Sequence, residues 1–208
     1  MRDTFLQPIP ELELAADFLD QAADAVVARN FDVARSLLIE ADMSTLREYE
    51  QKITGAITLE VHWQEALPSR SLLSENHEKR RMPTVREERI IAVRDGWRCR
   101  FCNSRVISKK ARNFLNNLFP NEARWARRNS EKHCALSAPT ASLDHILPHS
   151  RGGNNDQHNL VTACGPCQFG RNQWTLEEVG FNDPRERAPI KDRWDGLTRL
   201  LASGANST

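Results

Sequence analysis

The chain has 208 residues, of which 39% are apolar and 27% charged, and a formal net charge of +1. That length suits one or two globular domains, and the composition excludes disordered or collagen-like chains. No apolar run approaches the ~18–20 residues that span a bilayer. The opening Met1-Arg2-Asp3-Thr4, soon followed by Glu11 and Glu13, lacks the basic-then-apolar form of a secretory leader. A cytoplasmic protein that does not enter membranes is therefore expected. Five cysteines, an odd number, fit a reduced compartment and a metal site better than a disulfide framework.

The near-neutral total conceals a division. Residues 1–67 carry a net −8, residues 68–133 a net +10 and residues 134–208 a net −1. A basic segment concentrates polyanions, so phosphates are expected along the middle third; a solvated basic surface is the equal alternative.

In chain order, Leu12, Ala15, Ala16, Leu19, Ala22, Ala23, Val26 and Val27 recur at helical spacing and predict a first helix ending near Asn30. Asp32 is the expected N-cap of a second helix containing Val33, Ala34, Leu37, Leu38 and Ala41. Thr45-Leu46-Arg47-Glu48 has the form of a capping box and predicts a third helix to about Glu65, weakened at Gly55. Three such helices predict a small acidic bundle over 1–67, suited to docking a protein partner or to self-association. A linker is expected over 68–84, where Pro68, Ser69, Ser71, Ser74, Lys79-Arg80-Arg81 and Pro83 show little periodicity.

Beyond it, Val85 to Val93 predict a helix ending at Asp95-Gly96, and Ser108 caps a further helix stopped by Pro120. Residues 121–141 show no clear pattern but remain basic. Ser142 to Leu147 and Asn159 to Ala163 read as strands around the turn Gly152-Gly153-Asn154-Asn155. A brief helix should follow Pro166. Thr175-Leu176-Glu177-Glu178 is a second capping box, opening a helix that stops at Gly180.

Two Cys-x-x-Cys pairs, Cys99/Cys102 and Cys164/Cys167, are the strongest local signal. Each knuckle directs two sulfurs at one ion, and two knuckles complete the tetrahedral thiolate site that structural Zn²⁺ prefers. Sixty-one residues separate the pairs, so a helical insertion over 103–141 must loop out of the metal module. Cys134 has no partner at ligand spacing and reads as a small buried thiol.

Between the knuckles lies Leu143-Asp144-His145-Ile146-Leu147-Pro148-His149-Ser150-Arg151-Gly152-Gly153. Asn159-Leu160-Val161 and Cys164-x-x-Cys167-Gln168-x-x-Arg171 follow. Over roughly 86–178 this resembles the HNH endonuclease family; Asp183-Pro184-Arg185 and Trp194-Asp195-Gly196-Leu197 form a softer match to extensions of some members.

The resemblance implies an α+β fold: a ββα-metal finger with a structural four-cysteine zinc site over 85–180, followed by an extension over 181–208. It also implies DNA phosphodiester hydrolysis. Asp144 would hold a single Mg²⁺ or Mn²⁺ together with Gln168, His145 would take a proton from the attacking water, and Asn159 would brace the loop carrying that base. Gly152 and Gly153 would allow tight backbone beside a duplex. Lys109, Lys110, Arg112, Arg127, Arg128, Arg151 and Arg171 are expected phosphate contacts, and His149 either joins them or fills the loop. Gln168 departs from the family's usual His or Asn. Its extra methylene shifts the amide by up to ~1.5 Å, which leaves a working ligand, a weakened one, or lost activity open. The alternative reading is a zinc-stabilised nucleic-acid-binding module with little or no cleavage.

Overall fold

The computed structural model describes residues 2–4, 6–54 and 82–204. Most of the expected linker and the C-terminal half of the expected third helix lie outside them. Helix α1 (Pro10–Val27) begins with a proline at its first turn, where a missing N–H costs nothing, and carries Glu11 and Glu13 there. Its stripe of Leu12, Ala15, Ala16, Leu19, Ala22, Ala23 and Val26 is buried. Helix α2 (Phe31–Ala41) is capped by Asn30, whose side chain accepts from Val33 N at 3.4 Å. The expected cap Asp32 instead lies inside the helix, where its carboxylate pairs with Arg35 one turn on. Helix α3 (Ser44–Thr54) starts one residue before Thr45, so the predicted capping box falls inside the first turn.

Among the described residues α1 and α2 pack on each other, and α3 also touches α1. Helix α3 packs chiefly on the finger helix α7 (Gly165–Arg171) and on α6 (Cys134–Ser137), and α1 also packs against α6 and α9 (Arg199–Gly204). One core cluster runs from Leu12 and Leu19 through Tyr49, Phe101, Leu115 and the four knuckle cysteines to Phe181 and Trp194. The acidic N-terminal third and the basic remainder thus meet across a common interior.

That contact also accounts for the division of charge. Arg105 reaches Glu13 at 2.8 Å and Asp17 at 2.5 Å, Arg124 reaches Asp42 at 2.6 Å, and Arg199 reaches Asp20 at 2.5 Å and Asp24 at 2.8 Å. Arg105 and Arg124 of the basic segment are thus committed to carboxylates of the N-terminal third.

Helix α4 (Val85–Arg94) carries a full capping box, with Thr84 accepting from Glu87 N and Glu87 accepting from Thr84 N. At its other end buried Asp95 receives Arg94 and, at 2.7 Å, the Thr162 N–H, while Arg94 reaches the carbonyls of Gln157 and Leu160. Helix α5 (Lys109–Leu118) is capped by Ser108 as expected. Strands β1 (Ser142–His145) and β2 (Leu160–Ala163) pair antiparallel, with Leu143 opposite Thr162 and His145 opposite Leu160. With α7 they form a ββα unit, and α8 (Leu176–Val179) follows with its capping box and Gly180 in the left-handed conformation. The C-terminal tail straps the first knuckle: Trp194 Nε1 donates to Val106 O at 2.9 Å, and Arg187 donates to the carbonyls of Arg100 and Phe101.

Candidate metal centre and active site

Cys99 and Cys102 lie on the turn that follows α4, closed by Asn103 N donating to Cys99 O and Cys99 N to Ser104 O. Cys164 caps α7 and Cys167 sits in its first turn. All four thiols are free and buried, and their sulfurs lie within 4.8 Å of one another. The Cys102–Cys164 separation is 3.7 Å, against about 3.8 Å for two sulfurs on a tetrahedral Zn²⁺ with ~2.3 Å bonds. The donor set fits a structural metal such as zinc. Ser104 Oγ lies 3.3 Å from Cys102 Sγ, and Thr4 Oγ1 lies 3.4 Å from Cys167 Sγ. These hydroxyls are placed to support thiolate charge. Tyr49 of α3 is buried with no hydrogen-bond partner for its hydroxyl among the described residues. Burial and the surrounding sulfurs push its ionisation well above the ordinary phenol range. Cys134 stands apart, its thiol pushed up to about 11 by burial while Arg47 approaches at 3.1 Å.

Alternation along β1 sends Asp144 and His145 to opposite faces of the hairpin. Asp144, 5% exposed, faces α7, where it forms a two-pronged ion pair with Arg171: Nε to Oδ2 at 2.8 Å and Nη2 to Oδ1 at 2.5 Å. Burial pushes the carboxyl upward against the pull of Arg171 and His145. Because a guanidinium does not release its proton, the pair is neutral only with Asp144 ionised. Arg171 is 0% exposed and also donates to the carbonyls of Trp174 (2.6 Å), Ile146 and His145. The expected phosphate contact at Arg171 is thus corrected: its N–H groups are turned inward. Gln168 Nε2 donates to Leu143 O at 3.1 Å, so its amide is anchored on β1.

A hard divalent cation requires several accessible oxygens near ~2.0–2.1 Å. With both Asp144 oxygens held by a fixed cation, Asp144 and Gln168 as arranged do not fit one. Among the described residues the donor cluster arranged to hold an ion is the set of four cysteines.

On the other face, His145 Nε2 lies 3.0 Å from Asn155 Oδ1. With that amide oxygen accepting, Nε2 carries the hydrogen and Nδ1 is the basic nitrogen. Burial lowers the imidazole's affinity for a second proton. His149 meets it edge-on, with ring centroids 5.9 Å apart.

The loop between the strands is braced by Asn159. Its Oδ1 accepts from Leu147 N at 2.8 Å, and its Nδ2 donates to Leu147 O and Asn154 O. Gly152 has φ +91°, and a Cβ on Gly153 would lie 1.8 Å from Leu147 O. The glycines are demanded by the loop itself.

Residues 133–181 match the family model of HNH endonucleases. The match spans α6, the hairpin, α7 and α8, and begins after the first knuckle. Searches of curated proteins and of solved structures returned no match.

Around this HNH segment the remaining expected phosphate contacts are variously engaged. Arg151 pairs with Glu178 at 3.1 Å, Lys109 with Glu88 at 2.8 Å and Arg128 with Glu131 at 3.3 Å. Arg112 lies over the Trp125 ring, 3.7 Å from its centroid. Lys110 and Arg127 are exposed. Sequence reasoning does not single out Asn155, which sits in a turn-like Gly-Gly-Asn-Asn run. It also assigns Arg171 by position, whereas only a fold shows that its side chain turns back under β1.

Proposed function

We propose that this protein hydrolyses phosphodiester bonds of nucleic acid, with DNA as the substrate and His145 as general base. The observation that supports the reading is His145 at the end of β1, its Nε2 3.0 Å from Asn155 Oδ1, which leaves Nδ1 as the basic nitrogen beside the loop braced by Asn159. In this reading residues 85–180 form the nuclease unit, 1–67 a helical unit with 68–84 between, and 181–208 an extension. Zinc bound to Cys99, Cys102, Cys164 and Cys167 supplies a cross-link between the two halves of that unit. Lys110 and Arg127 are the exposed cations offered to the backbone.

The test is nicking of a supercoiled plasmid with Mg²⁺, with Mn²⁺ and with a chelator of divalent ions. His145→Ala is expected to lower cutting by about 10²-fold or more. Unchanged cutting by that variant would end the assignment.

A second reading, nucleic-acid binding without cleavage, is favoured by one observation: the Arg171 guanidinium sits on the carboxylate that a catalytic ion would need. It predicts salt-sensitive DNA binding and no product with any divalent ion. Gln168→Asn discriminates, since cutting gained by that variant identifies a nuclease weakened at this position.

A further inference from the structure

On the hairpin face away from Arg171 lies a cavity of 790 Å³, within the ~300–1,000 Å³ typical of ligand sites. Its apolar wall is formed by Leu143 from β1, Ala92 and Trp97 from α4 and its exit, and Leu201 from α9, while Glu88, Arg86 and Arg89 of α4 line it as charged groups. One flank of the Trp97 indole is fixed by Gly196, where a Cβ would come within 2.3 Å of the ring.

Two independent features of this cavity call for a ligand. Thr162, 0% exposed, lines it, and its Oγ1 has no hydrogen-bond partner among the described residues. A buried hydroxyl left unpaired is destabilising unless something fills the site and accepts from it. The second feature is the start of α5. Ser108, Lys109 and Lys110 line the cavity, and this ten-residue helix has no acidic residue in its first turn. Glu88 of the same lining pairs with Lys109 at 2.8 Å, so the positive potential at this helix N-terminus rests on Lys110, which opposes the macrodipole and is relieved by an anion. Arg86 and Arg89 of α4 add exposed cationic groups at the mouth.

An anion at the rim, an acceptor at the floor and a flat apolar body between them describe one kind of molecule. We propose that this cavity binds a single nucleotide, its base against Trp97 and Leu143 within reach of Thr162, and its phosphate at the start of α5 beside Lys110 and Arg89. The site follows from the geometry; the choice of a nucleotide over another aromatic anion rests on the phosphodiesterase reading above.

Titration of the full chain, zinc-loaded, with deoxyadenosine monophosphate by calorimetry tests this, with inorganic phosphate and anilinonaphthalene sulfonate as further probes. Saturable one-site binding of the nucleotide is expected, weakened about tenfold by Thr162→Val and at least as much by Lys110→Glu. Thr162→Val preserves shape and removes only the unpaired hydroxyl, so its melting temperature without ligand should equal or exceed that of the parent. His145→Ala should leave the affinity unchanged. Intact nucleotide binding with no plasmid cutting would sink the hydrolysis reading and uphold this one. No binding, binding indifferent to both substitutions, or phosphate binding as tight as the nucleotide's would overturn it. Uptake of anilinonaphthalene sulfonate alone would overturn the nucleotide assignment.

Discussion

At the scale of single residues, the chemistry turns on how Asp144, His145 and Arg171 divide the two faces of one hairpin. Burial holds the His145 pKa below the ordinary imidazole value of about 6.5. Were His145 the general base proposed above, only its neutral imidazole would take the proton, and the rising limb of kcat/KM against pH should have its midpoint below that value. A midpoint above 7 would contradict the burial seen here. The Asp144–Arg171 pair carries a different expectation. Removing one partner strands a buried charge, so Arg171→Ala should destabilise the fold by about 3–5 kcal/mol in denaturant unfolding. Asp144→Leu with Arg171→Met should recover most of that loss. A surface arginine awaiting phosphate would instead tolerate replacement within about ±0.5 kcal/mol.

At the scale of elements, His133 ties α6 to α2: its Nε2 lies 2.7 Å from Leu38 O, in full burial. Burial lowers its pKa, so the unfolded chain takes up a proton that the native one refuses. Stability from this group is complete above about pH 6.5 and declines as pH falls below it. His133→Asn should flatten that part of the melting-temperature profile.

The elements themselves are largely legible in the sequence. Capping residues Ser108 and Thr175 announce α5 and α8 because an N-cap is satisfied within three residues, whereas the box at Thr84 emerges only with the fold. Asn30 and Asp32 are interchangeable to a sequence reader, since either oxygen can cap; the helix start decides between them. The Cys-x-x-Cys spacing exposes the knuckles for the same local reason. What stays hidden depends on contacts between distant segments: Asn155 on His145, Arg171 on Asp144, and α3 chiefly on α7. An arginine four residues beyond a cysteine looks the same whether it meets a phosphate or turns under a strand.

At the scale of the whole molecule, the charge division is a docking code between the acidic N-terminal third and the rest. Arg105, whose side chain is 10% exposed, bridges Glu13 and Asp17 and stacks near Trp194, while its partners are about half exposed. Added salt should therefore lower the melting temperature modestly by screening these pairs. An unpaired basic middle would respond in the opposite sense, because screening would relieve its self-repulsion. With a metal on the four cysteines, as proposed above, its chelation should loosen the junction between α3 and α7. The chain has a single tyrosine, so alkaline titration of its phenolate absorbance reports on Tyr49 alone. Its ionisation should lie far above the ordinary ~10 while α3 stays packed against the sulfur cluster and return toward it when that packing is lost on unfolding.

The two knuckles emerge from the ribosome far apart in time, Cys99 and Cys102 well before Cys164 and Cys167. Until the second pair arrives, α3 lacks the surface it packs on and the hairpin carrying His145 is still incomplete. In a nascent chain the four-sulfur cluster is therefore incomplete until Cys164 and Cys167 have emerged, and an ion held by all four thiols could be captured only once the hairpin between the knuckles has been made.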